Sequence, residues 1–260
     1  YQAEYGGVFN LENLKGKTAI ITGASKGIGE AIARYFARSG ANVVINSRKQ
    51  EDLDIVAASI KEFGGSVIAI AGNVSIPEDA QDLINDTIQA FGGIDILVNN
   101  AVANPYYGPI VGCDSSAFDK TIAVNIKAPF ELSKLAYPSM KERGGGSIIN
   151  ISSIEGISPH DGMGIYSVSK AALNMLTKSC AQEWGVDNIR VNSICPGLIK
   201  TKFSKALWSN EKWTEHFISQ VPLRRVGTVE EIASLAFFLA SSSSSYVTGA
   251  IYTADGGLTL

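Results

Sequence analysis

The chain has 260 residues and a mass of 27.6 kDa, a length that fits one large domain or two small ones. Its 22 Lys and Arg residues against 25 Asp and Glu residues give a formal net charge of -3, so it lacks the basic excess that nucleic-acid binding requires. The longest apolar run, residues 232–240, is much shorter than the roughly 20 residues of a membrane helix. We therefore expect a globular protein without a nucleic-acid or membrane partner.

Cysteines and histidines are few and scattered. The three cysteines are widely spaced and only two histidines accompany them: Cys113, Cys180, Cys195, His160 and His216. This pattern favours neither a disulfide framework nor a metal site, and it predicts buried thiols in a reducing compartment, with a reactive nucleophile as the alternative. Residues 1–10 lack the features of a signal peptide and residues 257–260 are not a peroxisomal address, so we expect a cytoplasmic protein.

Strand-like and helix-like segments alternate along the chain. Short apolar runs rich in β-branched residues are followed by longer segments with apolar residues at helical spacing, which is typical of βαβ units. The predicted strands are residues 18–21, 42–45, 67–70, 94–98, 147–151, 189–194 and a short one near 250–252. The predicted helices run from the first glycine turn to Gly40 and over residues 51–63, 77–91, 116–141, 166–184 and 228–240. No linker, charge run or repeat divides the chain, so we predict one doubly wound α/β domain over residues 1–260.

One segment departs from this alternation. Residues 198–221 carry Phe203, Trp208, Trp213 and Phe217 between the last two β-units. Such an insertion is a typical position for a substrate lid. Two amphipathic helices that cap the core are the alternative, and they are compatible with a lid.

A glycine-rich turn joins the first predicted strand to the first helix. Residues 22–29 read Thr-Gly-Ala-Ser-Lys-Gly-Ile-Gly. Glycines let the backbone turn sharply and approach a pyrophosphate, whose charge then lies at the helix N-terminus. A plain tight turn is the alternative, but the position between strand and helix favours dinucleotide binding. The candidate ligands are Gly23, Ser25, Lys26, Gly27, Ile28 and Gly29.

The end of the second predicted strand carries basic residues instead of an acid. Dinucleotide-binding units that prefer NAD usually place a carboxylate there to hold the adenosine ribose. Here Asn46 is followed by Ser47, Arg48 and Lys49. Without a carboxylate to repel it, a 2'-phosphate can be bound by Arg48 and Ser47, with Lys26 approaching from the glycine turn. The predicted cofactor is therefore NADPH; the solvated basic start of a loop is the alternative interpretation.

Tyr166 and Lys170 are four residues apart at the start of a predicted helix, hence on one face of it. A phenol has an ordinary pKa near 10 and donates a proton poorly at neutral pH unless its anion is stabilised. An ammonium group one turn away can supply that stabilisation. The preceding buried strand ends at Ser152 and Ser153, where a hydroxyl can donate a hydrogen bond to a substrate carbonyl oxygen.

Together these elements resemble the short-chain dehydrogenase/reductase family, in its shorter, non-extended branch. The similarity covers residues 17–257. Besides the glycine turn and the Tyr-x-x-x-Lys pair, residues 99–102 correspond to the family's Asn-Asn-Ala-Gly motif and residues 196–201 to its Pro-Gly motif with a following threonine. The resemblance implies a Rossmann-type doubly wound sheet of about seven parallel strands and a homotetramer.

The resemblance also implies roles for individual residues. Ser153 and Tyr166 would bond the carbonyl oxygen and Tyr166 would donate the proton; Lys170 would lower the pKa of Tyr166 and bond the nicotinamide ribose; Asn125 would hold a water that reconnects Lys170 to solvent. Further NADP(H) contacts are implied for Asn73, Val74, Asn100, Ala101, Pro196, Gly197, Ile199 and Thr201.

Two positions depart from the family pattern. Val102 replaces a glycine, which should stiffen and crowd the backbone near the nicotinamide ribose. Asn73 stands where many members carry an aspartate beside the adenine, which should weaken one polar contact.

Within the family, residues 99–109, 144–153 and 196–208 are most similar to NADPH-dependent carbonyl reductases of the retinol dehydrogenase/reductase 4 group. This similarity implies reduction of small apolar or aromatic ketones, aldehydes and α-dicarbonyls. Pro105, Tyr106, Tyr107 and Met163, with the aromatic segment 198–221, are predicted to wall an apolar pocket.

Two other functions remain open. A 3-oxoacyl-acyl-carrier-protein reductase shares the fold and the catalytic residues but must dock an acidic carrier through a basic patch. Lys200, Lys202, Lys205, Arg224 and Arg225 are candidates for that patch. A catalytically silent dinucleotide-sensing or scaffold protein needs no proton donor, so Ser153, Tyr166 and Lys170 argue against it.

Overall fold

The structure is a computed structural model that describes residues 13–202, 204 and 211–260, with the backbone alone for residues 211–213. Strands and helices alternate through this part of the chain. The strands are β1 (Thr18–Thr22), β2 (Asn42–Ser47), β3 (Ser66–Ala71), β4 (Ile96–Asn99), β5 (Gly146–Ile151), β6 (Ile189–Pro196) and β7 (Ile251–Ala254). The helices are α1 (Gly27–Arg38), α2 (Gln50–Glu62), α3 (Pro77–Phe91), α4 (Ser115–Ile122), α5 (Ala128–Glu142), α6 (Gly164–Trp184), α7 (Glu211–Gln220) and α8 (Val229–Ala240).

The seven strands of the described residues form one parallel sheet in the order β3-β2-β1-β4-β5-β6-β7. The chain moves outward from β1 to β3 and then returns, so that β4 pairs with the other side of β1. Sheets of this kind bind ligands outside the carboxyl ends of the strands, at the point where the order reverses. The predicted Rossmann-type doubly wound α/β fold is confirmed.

Apolar layers cover both faces of the sheet. One face packs against α1, α2 and α8 through buried residues that include Ile32 and Ile232. The other face packs against α3, α5 and α6 through residues that include Leu83 and Leu132. A parallel sheet needs cover on both faces because its strands carry apolar side chains on each side, and β1 is buried along its whole length. This packing fixes the carboxyl ends of the strands along one edge.

The opposite, amino-terminal edge is closed by a buried carboxylate. Asp95 is 4% exposed and accepts hydrogen bonds from Thr18 N at 2.9 Å, Lys17 Nζ at 3.1 Å and Arg143 Nη2 at 2.9 Å. Burial raises the pKa of Asp95, but the bonds from Arg143, Thr18 and Lys17 outweigh it and hold the pKa below its usual value. Asp95 therefore ties β1 to the end of α5 on the side away from the ligand edge.

The long helix predicted over residues 116–141 is interrupted. Between α4 and α5 lies one turn of π-helix at Ala123–Lys127. Such a turn adds a residue to the helical repeat and is often found at functional sites. Asn125 lies in this turn and is 1% exposed.

The segment 198–221 is described only in part. Phe203 and Trp208 lie outside the described residues, as does the side chain of Trp213, so the predicted lid stays a prediction. The described part contains the helix α7. Along the described residues no helix is both long and apolar enough to cross a membrane. The same residues contain no cluster of three or more His, Cys, Asp or Glu side chains that could hold a metal ion.

Candidate active site

A cavity of about 980 Å³ opens at the carboxyl edge of the sheet. Most of the predicted site residues line it: Gly23, Ser25, Lys26, Gly27, Ile28, Ser47, Arg48, Asn73, Val74, Asn100, Ala101, Ser153, Tyr166, Lys170, Pro196, Gly197, Ile199 and Thr201. Gly29 and Asn125 do not line the cavity, but each lies against residues that do. Residues distant in the sequence are thus brought together because most of them follow the end of a strand, while Tyr166 and Lys170 lie in the first two turns of α6.

The glycine turn is shaped by the side chain of Asn100. Asn100 Nδ2 donates hydrogen bonds to the carbonyl oxygens of Thr22 at 2.8 Å and Gly23 at 3.1 Å. A Cβ on Gly23 would lie 2.9 Å from Asn100 Nδ2, and one on Gly29 would lie 2.5 Å from it. Gly23 also has a φ of +63°, in the region that favours glycine. The two glycines therefore allow β4 to hold the turn at the start of α1.

The turn leaves the N-terminus of α1 facing the cavity, as a dinucleotide pyrophosphate requires. Lys26 is the N-cap residue of α1, and Gly27 begins the helix. Thr201, which follows β6, lies against Gly27. A Cβ added to Gly27 would be 3.4 Å from the methyl group of Thr201. The close approach without side chains, together with the helix N-terminus, fits a nicotinamide dinucleotide.

The end of β2 supplies the groups predicted to bind a 2'-phosphate. Ser47 and Arg48 line the cavity together with Lys26 and Lys49. Asp52, in the first turn of α2, lines it too and was missed by the sequence analysis. Its carboxylate places a negative charge in an otherwise basic part of the lining, one turn along from Arg48.

Asn46 is the next-to-last residue of β2. It is 2% exposed, and its Nδ2 donates to the carbonyl oxygens of Ile70 at 3.0 Å and Gly72 at 3.3 Å. Its backbone oxygen accepts the N–H of Ala24 at 3.0 Å. A carboxylate could not donate these side-chain bonds, so Asn46 holds the end of β3 and the glycine turn in place.

Asn73 also makes local bonds. Its Oδ1 accepts from Ser75 N at 3.2 Å and from Ser75 Oγ at 2.8 Å, and its own N–H donates to Asp79 Oδ2 at 2.7 Å. The side-chain oxygen of Asn73 therefore stabilises the turn into α3. Its side-chain nitrogen, Nδ2, is the group that remains for an adenine ring. The expected weaker contact to the adenine stays a prediction.

Ser153 and Tyr166 are brought together from β5 and α6. Tyr166 is 7% exposed, and burial raises its pKa above the ordinary value. A side-chain hydrogen bond with Ser153 lowers the pKa of Tyr166, while electrostatic interactions with Glu155 and Cys195 raise it. The net effect keeps the phenol protonated at neutral pH.

Lys170 lies one turn further along α6 and is 2% exposed. Its Nζ donates to the carbonyl oxygen of Ile151 at 2.8 Å and lies 5.6 Å from the centre of the Tyr166 ring. Burial lowers the pKa of Lys170 to about 8. The role expected of Lys170, which is to lower the pKa of Tyr166, stays a prediction.

Asn125 was expected to hold a water, but protein atoms use its side chain. Its Oδ1 accepts from Ala103 N at 2.8 Å, and its Nδ2 donates to Ala103 O at 2.9 Å and to Ser169 Oγ at 3.0 Å. Both Nδ2 hydrogens of Asn125 are used in these bonds, and its expected role of holding a water stays a prediction. Its observed role is to join the loop after β4 to α6 beside the candidate catalytic residues.

Val102 does not distort the backbone. In the described part of the chain only Asn188 and Arg224 among non-glycine residues have a left-handed φ, so Val102 adopts a conformation open to any residue. It lines the cavity, and its difference from the family's glycine is therefore the volume of its side chain.

The substrate end of the cavity is more polar than predicted. Pro105 and Met163 line it as expected, together with Asn104, Lys120 and Glu155, which the sequence analysis missed. Asn104 Nδ2 lies 3.6 Å from Met163 Sδ and so joins the two loops above the catalytic residues.

The prediction that Tyr106 and Tyr107 wall the pocket is wrong. Tyr106 is turned to its own loop, where its hydroxyl donates to Pro109 O at 2.8 Å. Tyr107 is 67% exposed and packs against Gly162. Neither ring belongs to the lining.

Comparisons with known proteins agree with this geometry. A family model described as enoyl-(acyl carrier protein) reductase matches residues 23–259. The chain is 43% identical to dehydrogenase/reductase SDR family member 4 of Oryctolagus cuniculus, over 96% of each chain. It is 42% identical to the Homo sapiens protein of the same name, over 96% of this chain and 90% of that one. The chain therefore belongs to the short-chain dehydrogenase/reductase family.

Solved structures give the same result. A gluconate 5-dehydrogenase from Burkholderia cenocepacia in complex with NADP and tartrate aligns with a TM-score of 0.91 at 32% identity, covering 95% of this chain and 96% of that one. A short-chain type dehydrogenase/reductase from Mycobacterium marinum aligns with a TM-score of 0.90 at 35% identity, covering 95% and 97%. The protein is accordingly an oxidoreductase of carbonyl and alcohol groups that uses a nicotinamide dinucleotide. The predicted similarity to the retinol dehydrogenase/reductase 4 group is confirmed.

Proposed function

We propose that this protein is an NADPH-dependent carbonyl reductase in which Tyr166 donates the proton. The observation that carries the proposal is the placement of Ser153, Tyr166 and Lys170 in one cavity with the glycine turn and the Ser47–Arg48 pair. The cavity therefore combines a site for the cofactor with a protonated phenol near a second hydroxyl.

The chain's own residues bind and protonate the carbonyl oxygen. Hydrogen bonds from Ser153 and Tyr166 polarise the carbonyl, and they strengthen as negative charge develops on its oxygen. When bound, the reduced nicotinamide supplies the hydride. Tyr166 then gives its proton to the oxygen, and the Lys170 ammonium stabilises the phenolate that is left.

The preference for NADPH rests on Arg48, Ser47 and Lys26. An arginine can form two parallel hydrogen bonds to a phosphate, and no acid stands at the end of β2 to repel it. The Burkholderia relative was crystallised with NADP, which supports the same choice. Asp52 opposes it and sets a limit to the preference.

Small ketones, aldehydes and α-dicarbonyls are the proposed substrates. Met163, Pro105 and Val102 supply apolar surface, whereas Asn104 and Lys120 supply polar groups. This mixture suits a compact substrate with an apolar body and a second polar group better than a purely apolar one.

A reductase of carrier-linked 3-oxoacyl thioesters is the second candidate, because the matching family model is named for an acyl-carrier-protein enzyme. The predicted basic patch is weaker than its sequence indicated. Arg225 is paired with Glu231 at 2.5 Å, and Arg224 bonds the carbonyl oxygen of Ser219. Lys205 lies outside the described residues.

A panel assay separates these functions. The purified protein is tested with NADPH and NADH against a diketone, an aromatic ketone, retinal and an acetoacetyl thioester. We expect the highest kcat/KM with NADPH and the small ketones. A higher kcat/KM for the thioester would replace the proposal by the second candidate.

Tyr166→Phe tests the mechanism itself. The variant keeps the buried ring but removes the proposed acid, so kcat should fall by about 100-fold or more while NADPH affinity stays nearly unchanged. Turnover is measured by NADPH absorbance and affinity by fluorescence titration. Turnover near the wild-type rate would contradict the mechanism and favour a sensing or scaffold function.

We also infer that the chain forms a homotetramer. Three helices on one side of the sheet carry exposed apolar side chains, including Phe118 on α4, Phe130 on α5 and Met175 on α6. Exposed apolar groups collected in this way are typical of an interface between subunits.

A further inference from the structure

A carboxylate without a role in the proposed reaction lies next to the candidate catalytic residues. Glu155 is in the short 3-10 turn Ile154–Gly156 that follows Ser153, and it lines the same cavity. Its side chain is only 11% exposed. A carboxylate withdrawn from water to this extent needs hydrogen-bond donors to offset the lost hydration.

The donors come from two later segments of the chain. Glu155 Oε1 lies 2.6 Å from His160 Nδ1, and Oε2 accepts from His160 N at 3.1 Å and from Ser167 Oγ at 2.8 Å. His160 belongs to the loop that leads into α6, and Ser167 is the residue after Tyr166. One side chain therefore joins the turn behind Ser153 to the loop and to the first turn of α6.

The same turn holds Ser153. Ser153 Oγ accepts the backbone N–H of Glu155 at 3.1 Å, so the position of Glu155 and that of the Ser153 hydroxyl are linked. On the other side, Ser167 Oγ also donates to Met163 O at 3.0 Å, at the start of α6. Glu155 thus bonds to residues adjacent to both hydroxyls that the proposed reaction needs.

We propose that Glu155 is a positioning residue that keeps the Ser153 and Tyr166 hydroxyls in register across two elements, with His160 and Ser167 as its partners. The assignment of Tyr166 as the acid rests on the proposed function, but the connection made by Glu155 does not. A misplacement of about 1 Å at a reacting group can cost about 100-fold in rate, so such a connection has a large effect.

The charge of Glu155 has a separate effect. The groups that face Tyr166 are Glu155 from the turn, Ser153 from the end of β5, Lys170 from its own helix and Cys195 from β6. Burial raises the pKa of Tyr166, Ser153 lowers it, and the Glu155 and Cys195 charges raise it further. Glu155 itself is bonded to His160, which Asp161 follows in the chain, and Lys120 and Lys170 line the same cavity. Loss of the Glu155 charge alone should therefore lower the pKa of Tyr166.

Two substitutions separate position from charge. In Glu155→Gln the side-chain oxygen still accepts from His160 Nδ1 and the amide can donate to Ser167 Oγ, so two of the three side-chain bonds are kept without the charge, and the bond from His160 N is lost. We expect kcat at neutral pH to stay within a few-fold of wild type. The pH at which kcat/KM for reduction falls should move down by roughly 0.5–1 unit, because the acid form of Tyr166 is lost sooner. The rising limb of alcohol oxidation should move in the same direction, which a change of packing alone would not produce.

In Glu155→Ala the connection is removed. We expect kcat to fall by about 10- to 100-fold with little change in KM for NADPH. Glu183→Gln, on the exposed part of α6, is the matched control and should leave both kcat and the pH profile unchanged.

Hydrogen exchange measures the connection without turnover. Peptides that cover residues 152–168 should exchange at least about tenfold faster in Glu155→Ala than in wild type, and close to the wild-type rate in Glu155→Gln. If the wild type reduces no carbonyl, the proposed function fails, and this exchange result alone decides the role of Glu155. Unchanged exchange in Glu155→Ala, or an unchanged pH profile in an active Glu155→Gln, would overturn the inference.

Discussion

Burial of the Lys170 side chain lowers the pH at which its amino group loses its proton. The folded chain lowers its pKa from 10.5 to about 8, so between these values the unfolded chain binds more protons than the folded one. The free energy of unfolding must then rise as the pH increases through this window. A functional ammonium is thus held in the core at a cost in stability that is largest at neutral pH and below.

Lys170→Met tests this coupling between burial and charge. The substitution keeps an unbranched side chain without a titrating group, so the unfolding free energy should lose its rise above pH 8. We expect the difference between variant and wild type to change by roughly 2 kcal/mol between pH 8 and pH 10. Urea unfolding at a series of pH values measures it. Parallel curves for the two proteins would show that Lys170 is charged at the same pH in both states.

Arg48 and Asp52 act in opposite directions on cofactor choice. In Arg48→Ala the preference for NADPH over NADH should fall by about 10- to 100-fold, because a charge-assisted bond to the 2'-phosphate is lost. In Asp52→Asn the preference should rise, because a carboxylate near the phosphate is neutralised. Titrations with both cofactors measure the ratio, and the NADH affinity is the internal control. Equal affinities of the wild type for NADPH and NADH would contradict the assignment.

At the scale of elements, the glycine turn depends on Asn100, which directly follows β4 and bonds the turn with its side chain. In Gly29→Ala the new Cβ would lie 2.5 Å from Asn100 Nδ2 and 2.6 Å from Gly23 O. Either the turn or Asn100 must move, so we expect weaker NADPH binding by about tenfold or more and a loss of roughly 1–3 kcal/mol in stability.

Gly185→Ala is the control for that substitution. Gly185 has a φ of -58° and nothing within 4 Å of an added Cβ, so stability and cofactor binding should stay close to wild type. Calorimetry and fluorescence titration give the two quantities. If Gly29→Ala binds NADPH as well as Gly185→Ala does, the role given to the close approach is wrong.

The sequence predicted the strands and helices better than the irregular turns that interrupt or connect them. Period and composition located every strand within two or three residues, because apolar runs and glycine turns are local signals. The π turn at Ala123–Lys127 was missed, since one additional residue hardly alters the spacing of apolar positions over a long helix. β7 extends to Ala254, two residues beyond the predicted end at 252, because pairing with β6 continues there.

The candidate site follows the same division. Motifs identified the glycine turn, Ser153, Tyr166 and Lys170 because their spacing is fixed within one element or one turn. Asp52, Asn104, Lys120 and Glu155 were missed because their places in the cavity depend on how separate elements pack. Asn125 was found, but its bonds to Ala103 and Ser169 depend on the path of a loop that no periodic signal describes.

At the scale of the whole molecule, assembly is the main prediction. If α4, α5 and α6 form subunit interfaces, Phe130→Asp should place a charge in an apolar contact and shift a tetramer toward smaller species. Light scattering after size-exclusion chromatography gives the mass of each species. Ile55→Asp, at another exposed apolar position on α2 across the sheet, should leave the mass unchanged. A wild-type monomer would refute the homotetramer directly.

The buried carboxylate of Asp95 and the cavity lie on opposite edges of the sheet. The two edges therefore differ as places to attach the protein to a solid support. Lys26, Lys49, Lys120 and Lys202 all line the cavity, so coupling through amines at random would block its mouth. The turns at Gly64 and Gly144 connect helices to strands along the far rim, where no lining residue is found among those described. A linker attached near Gly64 or Gly144 would leave the mouth of the cavity facing the solution in every molecule.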